Sequence, residues 1–367
     1  MKFFKHIVLF TALFFASAVL VNAQDTEEQH QGKKEGLNVT GLILEHLSDA
    51  YEWHIVTVGE HPFSIPLPVI VKKSDGTWRI FSSARFEHGT AGYEGFYISQ
   101  EGKYAGKIVE RNAAGEERRP LDLSLTKDSV SLLLSSTILI LLILGCAAWY
   151  KKRKVEEASP KGFIAMMEML IMSIVDGVIK PCIGKNYARY APYLLTAFFF
   201  IFINNLMGII PILPGGVNVT GNIAITFTLA LFTFIIVNIF GTREYWKEIF
   251  WPDVPMWLKV PVPLIPVIEL VGIFTKPFAL MIRLFANILA GHAIVLGLTS
   301  MIFLTVSLGA VMNTGMSILS VVMTVFIDFV ELLVAFIQAY VFTLLSAVFI
   351  GLSQAEGHHS KSKQVNE

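Results

Sequence analysis

An arginine inside a membrane-type helix constrains this chain more than any other feature of its sequence. The segment from Pro277 to Leu298, PFALMIRLFANILAGHAIVLGL, is apolar over the length of a bilayer span, except chiefly at Arg283, Asn287 and His292. A charge at the centre of a bilayer helix costs about 2.5 to 3.5 kcal/mol on the insertion scale, and such residues are rare without a function. Arg283 is therefore the first candidate functional residue.

Helical spacing places further polar residues beside Arg283. Asn287 follows it by four residues and so shares its face. If the helix extends backward past Pro277, Lys276 and Glu269 fall near the same stripe, because seven and fourteen residues are close to whole turns. Proline removes a helix hydrogen bond and either kinks or starts a helix, so the sequence leaves this extension open.

A structural explanation of Arg283 competes with the functional one. Arg283 lies only about 9 Å along the helix from Pro277, and a long side chain near a helix end can reach the lipid headgroups. Small residues beside the stripe favour contact with another protein instead, since they let helices approach closely in membranes. These small residues are Ala279, Ala286, Ala290, Gly291 and Gly297.

The amino-terminal third of the chain has the pattern of an exported soluble domain. Residues 1–23 have two lysines and then an apolar run, the layout of a signal peptide, with an uncleaved anchor as the alternative. Residues 24–127 predict a small, mainly β domain, because Asp75-Gly76 lies between two β-prone runs and favours a tight turn. No cysteine occurs there, which excludes a disulfide framework. The sequence does not indicate what this domain does.

Charge distribution predicts the topology of the rest. Residues 128–151 predict a first transmembrane helix, and the basic cluster at its end indicates a cytoplasmic exit, which makes the preceding domain periplasmic. Residues 152–185 predict an amphipathic segment on the cytoplasmic side. Residues 186–352 predict a channel domain of four spans, and residues 353–367 a cytoplasmic tail. With a net charge of zero, no overall field favours nucleic acid as a partner.

These elements together predict an all-α polytopic membrane protein with a small, mainly β periplasmic domain at its amino terminus. It has five transmembrane helices plus an interfacial helix, and the last two spans are long and tilted. The last apolar run begins at Ile318, and in it Glu331 and Gln338 share one face while Asp328 is slightly rotated from them. A carboxylate in the bilayer needs a partner from another helix or from water.

Several segments resemble the a subunit of rotary, F-type ATP synthases, the stator channel beside a rotating proteolipid ring. RLFAN followed by AGH is similar to the signature R-L-x-x-N-x-x-A-G-[EH] of that family. NLMGIIP, which begins at Asn205, is similar to its N-L-[ML]-x-x-x-P segment, and VNVT at 217–220 to its motif before the next span. The resemblance is continuous from Pro266 to Leu352 and does not cover the amino-terminal domain.

The resemblance implies a function in proton translocation, in the inner membrane of a bacterium. Two aqueous half-channels meet the c-subunit ring at different points, and Arg283 stands between them. Glu331, His292 and Glu269 are assigned to the periplasmic half-channel, and Gln338 and Asn287 position Arg283 and water. Secondary candidates are Asn205, Lys276 and Asp328.

Further partners implied are the peripheral stalk b subunits, membrane lipid and the transported proton. The chain is not catalytic on its own, and no nucleotide-binding loop, cofactor motif or metal-ligand pattern occurs in its sequence. The alternative is an ion-coupled secondary transporter subunit, although no second copy of the arginine helix pattern occurs to form the repeats of such transporters. A purely structural membrane anchor would not need Arg283, His292 and Glu331 together.

Overall fold

A computed structural model describes residues 49–58, 61–100, 102–111, 117–152, 160–210, 217, 219–250 and 264–354. The predicted signal peptide and all but the first two residues of the predicted carboxyl-terminal tail lie outside the described residues, as do residues 24–48 and 251–263. The described chain is mostly helical and has a small β region at its amino-terminal end.

The β region consists of eight short strands in three antiparallel sheets, with the orders β1-β2, β4-β3-β8 and β5-β6-β7. Its core contains Tyr51, Val69, Val71, Phe86, Phe96 and Ile108. The strands are β1 (Glu52–Val58), β2 (His61–Pro66), β3 (Pro68–Lys72), β4 (Trp78–Ser82), β5 (Phe96–Ile98), β6 (Ile108–Arg111), β7 (Glu117–Arg118) and β8 (Leu121–Asp122). The mainly β character predicted for this part of the chain is confirmed.

The predicted hairpin is the β3–β4 pair, in which Lys72 lies opposite Trp78. Gly76 takes the left-handed conformation at φ 87° that the tight turn requires. The Asp75 carboxylate accepts hydrogen bonds from the side chain and the backbone N–H of Thr77, and these bonds lower the pKa of that carboxyl below its usual value. Local turn chemistry therefore fixes the register of this sheet.

The rest of the described chain is helical. Three helices, α1, α7 and α8, are long and apolar enough to cross a membrane, and α5 with α6 forms a pair bent by 97° that would add a fourth span. The helices are α1 (Lys127–Lys151), α2 (Phe163–Ile174), α3 (Lys180–Ile183), α4 (Tyr187–Ile209), α5 (Ile223–Ile239), α6 (Arg243–Phe250), α7 (Leu264–Leu304) and α8 (Ala310–Ser353). The chain is thus a polytopic helical membrane protein.

Helix α7 resolves the extension that the sequence left open, because it continues through Pro277 without ending. Glu269, Lys276 and Arg283 therefore lie on one helix. Helix α8 begins at Ala310, eight residues before the apolar run itself. Gly309, at φ 98°, precedes its first turn, and the N–H of Asn313 donates to the Gly309 carbonyl. Helical hydrogen bonding does not require apolar side chains, so the helix extends beyond the apolar run that begins at Ile318.

Helix α4 lies at the centre of the helical part, and Leu194, Phe198 and Ile201 on it are fully buried. Polar side chains join it to its neighbours. Ser135 Oγ on α1 donates to Asn204 Oδ1 at 2.8 Å, and Tyr193 OH lies 2.8 Å from Thr233 Oγ1 on α5. Such bonds between membrane helices are worth about 0.6 to 2 kcal/mol each and hold helices together where no hydrophobic driving force acts.

The region predicted as an amphipathic segment contains α2, a π-helical turn (Val175–Ile179) and α3. Helix α2 buries Met167 and Ile174 and exposes Phe163 and Met169, which are apolar as well. The carboxyl end of α8 packs closely on α3. A side chain on Gly351 would overlap the carbonyl oxygen of Cys182.

Hydrogen bonds also show which helix ends lie together. Asn222 Nδ2, at the start of α5, donates to Asp128 Oδ2, at the start of α1, at 2.8 Å. At the other end of α5, the N–H of Thr242 donates to the carbonyl of Ser353 at 2.9 Å. Helices α1 and α5 therefore begin at the same end of the bundle, and α5 and α8 finish together at the opposite end.

Candidate functional site

The structure brings an imidazole and a carboxylate together between the two longest helices. His292 on α7 and Glu331 on α8 face each other, with 4.0 Å between Nδ1 and Oε1 and side-chain exposures of 18% and 13%. Neither of these two atoms has a hydrogen-bond partner among the described residues, although both are buried. Buried polar atoms are nearly always paired, so the exceptions call for a functional explanation.

The other ring nitrogen of His292 is held by α4. Nε2 lies 3.3 Å from the carbonyl oxygen of Gly208. A carbonyl can only accept, so this contact places a proton on Nε2 and leaves Nδ1 of the neutral ring facing Glu331 as an acceptor. The imidazole is thus oriented to take a proton from the side of the carboxylate.

A cavity of about 20 Å³ lies beside this pair. That volume exceeds the roughly 10 to 15 Å³ that one water molecule needs, and the polar groups around it can bind one. Its lining residues are Asn205, Ile209, Asn287, Ile288, His292, Glu331 and Val334. Three of the predicted site residues, His292, Glu331 and Asn287, are therefore brought together with Asn205, a secondary candidate.

Asn205 is fully engaged in packing three elements together. Its Oδ1 accepts a hydrogen bond from Thr220 Oγ1 at 2.7 Å, and its Nδ2 donates to the carbonyl of Ala335 at 3.4 Å. Asn205 is only 2% exposed. Both polar atoms of its side chain are therefore used to hold the wall of the cavity in place. Through Thr220, Asn205 also joins the NLMGIIP and VNVT segments that were identified in the sequence.

Gly291 allows Glu331 to reach its position. A side chain at Gly291 would overlap Oε1 of Glu331 and would lie 3.1 Å from its Cδ atom. The carboxylate therefore lies directly against the backbone of α7. The sequence indicated Gly291 only as one of several small residues, and the roles of Gly291 and of the Gly208 carbonyl were missed, because backbone contacts leave no side-chain signal.

Arg283 and Asn287 lie on the exposed side of α7. None of the ion pairs among the described residues includes Arg283. Exposed small residues flank it, among them Ala286 and Ala290. A guanidinium stays charged at any physiological pH, so this face of α7 presents a permanent positive charge to whatever packs on it.

Glu269 does not join the His292–Glu331 pair. It lies 23 residues before His292 on the same helix, which corresponds to about 34 Å along the axis. Helical periodicity predicted that Glu269 lies on the stripe of Arg283 but carried no information on depth. Glu269 instead lies near Tyr245 of α6.

Lys276 lies in a second cavity, also of about 20 Å³, between α5, α6, α7 and the end of α8. Its Nζ atom is 5.9 Å from the ring centroid of Phe349. Of the remaining candidates, Gln338 is 7% exposed and Asp328 is half-buried, three residues before Glu331. Both lie on α8, but only Glu331 and Val334 of that helix line the first cavity.

Comparison with known proteins places the helical part in a family. The family model described as ATP synthase A chain matches residues 132–351. The chain belongs to the ATP synthase subunit a family. The match covers α7, all but the last two residues of α8, and all of the candidate site residues. A second model, described as a domain of unknown function (DUF8433), matches residues 42–123.

Named relatives of the subunit a family agree with this assignment. ATP synthase subunit a of Chloroherpeton thalassium is 41% identical over 245 residues, which are 65% of this chain and 69% of the relative. Subunit a of Myxococcus xanthus is 41% identical over 246 residues, or 65% of this chain and 76% of the relative. Subunit a 2 of Chlorobaculum tepidum is 41% identical over 255 residues, 67% of each chain. The family resemblance drawn from the motifs is confirmed.

Proposed function

We propose that this chain is the proton-channel stator subunit of an F-type ATP synthase and works beside a ring of c subunits in a bacterial inner membrane. It is not catalytic on its own. The single observation that carries the proposal is the buried His292–Glu331 pair beside a cavity large enough for one water molecule. The two residues lie on two membrane helices, and one of these helices, α7, also exposes Arg283. Membership of the subunit a family supports it.

In this proposal, protons from the periplasm pass through the first cavity to the His292–Glu331 pair. Imidazole gains and loses a proton near neutral pH, and a carboxylate 4.0 Å away can exchange protons with it directly or through one water. Asn287 lines the same cavity and lies one turn from Arg283. It therefore lies between the His292–Glu331 pair and the arginine that faces the ring of c subunits. Gln338 is two turns further along α8 and positions water there.

Arg283 separates the two half-channels. Its positive charge attracts the deprotonated carboxylate of a ring subunit, and its guanidinium cannot release a proton and so cannot carry one through. One charge moved across 100 mV of membrane potential is worth about 2.3 kcal/mol, which drives ring rotation. Lys276 and Glu269 lie towards the cytoplasmic end of α7 and belong to the second half-channel in this scheme.

The proposed topology has five spans, α1, α4, α5, α7 and α8, with the β region outside the cell membrane and the end of α8 in the cytoplasm. The paired starts of α1 and α5 and the paired ends of α5 and α8 support it, because a chain returns to the same side of a membrane only after an even number of crossings. Those two crossings are α1 and α4 in the first case, and α7 and α8 in the second. Peripheral stalk b subunits contact the cytoplasmic side.

The proposal is tested by ATP-driven acidification of inverted membrane vesicles that carry the whole synthase. Arg283→Ala and Arg283→Lys should both abolish pumping while the complex stays assembled, because lysine, unlike arginine, can lose its proton when desolvated. Thr299→Ala on the same helix is the control, since Thr299 bonds only to the Val295 carbonyl of its own helix. Pumping that survives in either arginine variant would contradict the proposal.

A further inference from the structure

The β domain, residues 49–122, lies outside the subunit a match, and the family model that covers it has no function attached. Its first strand carries Trp53, which is only 7% exposed. The buried neighbours of Trp53 are Val217 and Val219, which lie between α4 and α5, and not the core residues of its own domain. Val130 and Leu132 at the start of α1 complete this contact.

The segment that Trp53 covers leads directly to the proton site. A methyl group on Gly208 would lie 3.6 Å from both the Val217 carbonyl oxygen and His292 Nε2, so Gly208 is held between the two. Gly208 in turn accepts the hydrogen bond that orients His292. Three residues after Val217, Thr220 donates to Asn205, which lines the cavity.

Further contacts tie the domain to the same end of the bundle. The backbone N–H of Lys127 donates to the carbonyl of Ala50 at 2.9 Å, and the N–H of Asp128 donates to Asp49 Oδ1 at 3.2 Å. Asp128 then accepts from Asn222, which follows the covered segment. These bonds join the first described residues of the chain to the start of α1, and the start of α1 to the start of α5.

We propose that the β domain is a positioning element of the proton path. Trp53 presses Val217 and Val219 towards α4 and so determines where Gly208 holds His292 and where Asn205 borders the cavity. The inference rests on the proposed function of that site. It assigns to the exported domain a part in proton transfer, through backbone and packing contacts, with no group of its own in the path.

The test uses three variants of the full synthase in inverted vesicles. Trp53→Ala should lower ATP-driven acidification by about tenfold and alter its pH profile, because small displacements of a reacting group can cost up to about 100-fold. Trp53→Phe should restore most of the activity, since an aromatic side chain refills the contact. Trp78→Ala is the matched control, because Trp78 is in the same domain but 49% exposed on β4. Trp53→Ala vesicles with the wild-type rate and pH profile would overturn the inference.

Val219→Ala covers the case in which Trp53→Ala reduces the amount of assembled complex. It trims the membrane side of the same contact by two methyl groups and leaves the domain intact. A changed pH profile per assembled complex supports the inference, and an unchanged one overturns it. Arg283→Ala in parallel separates the two proposals: if it abolishes pumping while the Trp53 and Val219 variants behave as wild type, only the positioning role fails.

Discussion

Two buried atoms without partners define the site at the scale of residues. His292 Nδ1 and Glu331 Oε1 face each other at a distance too long for a hydrogen bond, and neither is satisfied elsewhere among the described residues. A structural ion pair would close this gap, because unpaired polar groups in a low-dielectric interior are costly. A pair without a hydrogen bond between its two members is suited to transfer a proton.

Gly291 tests this arrangement without removing either ionisable group. Gly291→Ala should slow ATP-driven pumping by about tenfold or more, since the added methyl group overlaps the Glu331 carboxylate and displaces it from His292. Glu331→Gln, which removes the carboxyl group that exchanges protons, should also slow pumping while the complex stays assembled. Gly315→Ala on α8 is the control, because no atom lies within 4 Å of its added methyl group. Equal pumping rates in the two alanine variants would show that the position of the Glu331 carboxylate against Gly291 is unimportant.

The residues of the site were predictable from sequence to different degrees. Arg283 was identified by the free-energy cost of a charge inside a bilayer. His292 and Glu331 were predicted to form a pair only through the family resemblance, since helical spacing does not relate residues on two different helices. Spacing put Glu269 on the stripe of Arg283 without giving its depth, and the grouping of Glu269 with His292, about 34 Å away along the helix, came from the family resemblance. The backbone contacts of the pair, made by Gly208 and Gly291, could not be predicted because they do not depend on side-chain type.

At the scale of elements, α7 and α8 are longer than their apolar runs. Helix α7 passes through Pro277, and α8 starts eight residues before Ile318. A proline within a membrane helix is tolerated where neighbouring helices compensate for the lost hydrogen bond. Sequence patterns therefore gave the identity of both helices correctly but could not give their extent.

Close backbone packing at the end of α8 leads to a prediction about stability. Gly351→Ala should destabilise the subunit by about 1 to 3 kcal/mol, or more if the backbone must move, because its methyl group would overlap the Cys182 carbonyl of α3. Thermal unfolding of the purified complex, followed by loss of subunit a, measures the effect. Gly315→Ala, near the start of the same helix and with open space around it, should have little effect. A Gly351→Ala complex as stable as the Gly315→Ala complex would refute the close contact.

At the scale of the whole molecule, the chain consists of the helical part that matches the subunit a family and an additional β domain. Composition and export signals predicted both parts, and the Asp75-Gly76 turn predicted one of the sheets. The joint between the parts was not predictable, because Trp53 reads in sequence as an ordinary strand residue and its partners Val217 and Val219 lie more than 160 positions away. Contacts so distant along the chain follow from tertiary packing alone.

The proposed topology makes a prediction for the whole chain that labelling can test. In a background with Cys146→Ser and Cys182→Ser, a membrane-impermeant thiol reagent added to the periplasmic side should label Asp75→Cys and Ile223→Cys, both at exposed positions. Lys185→Cys, exposed between α3 and α4, should react only after the inner membrane is opened. If α1, α7 and α8 alone crossed the membrane, Ile223→Cys would react together with Lys185→Cys, and the five-span topology would be wrong. Labelling of Ile223→Cys together with Asp75→Cys would place Val217, Val219 and the β domain on one side, as the Trp53 contact requires.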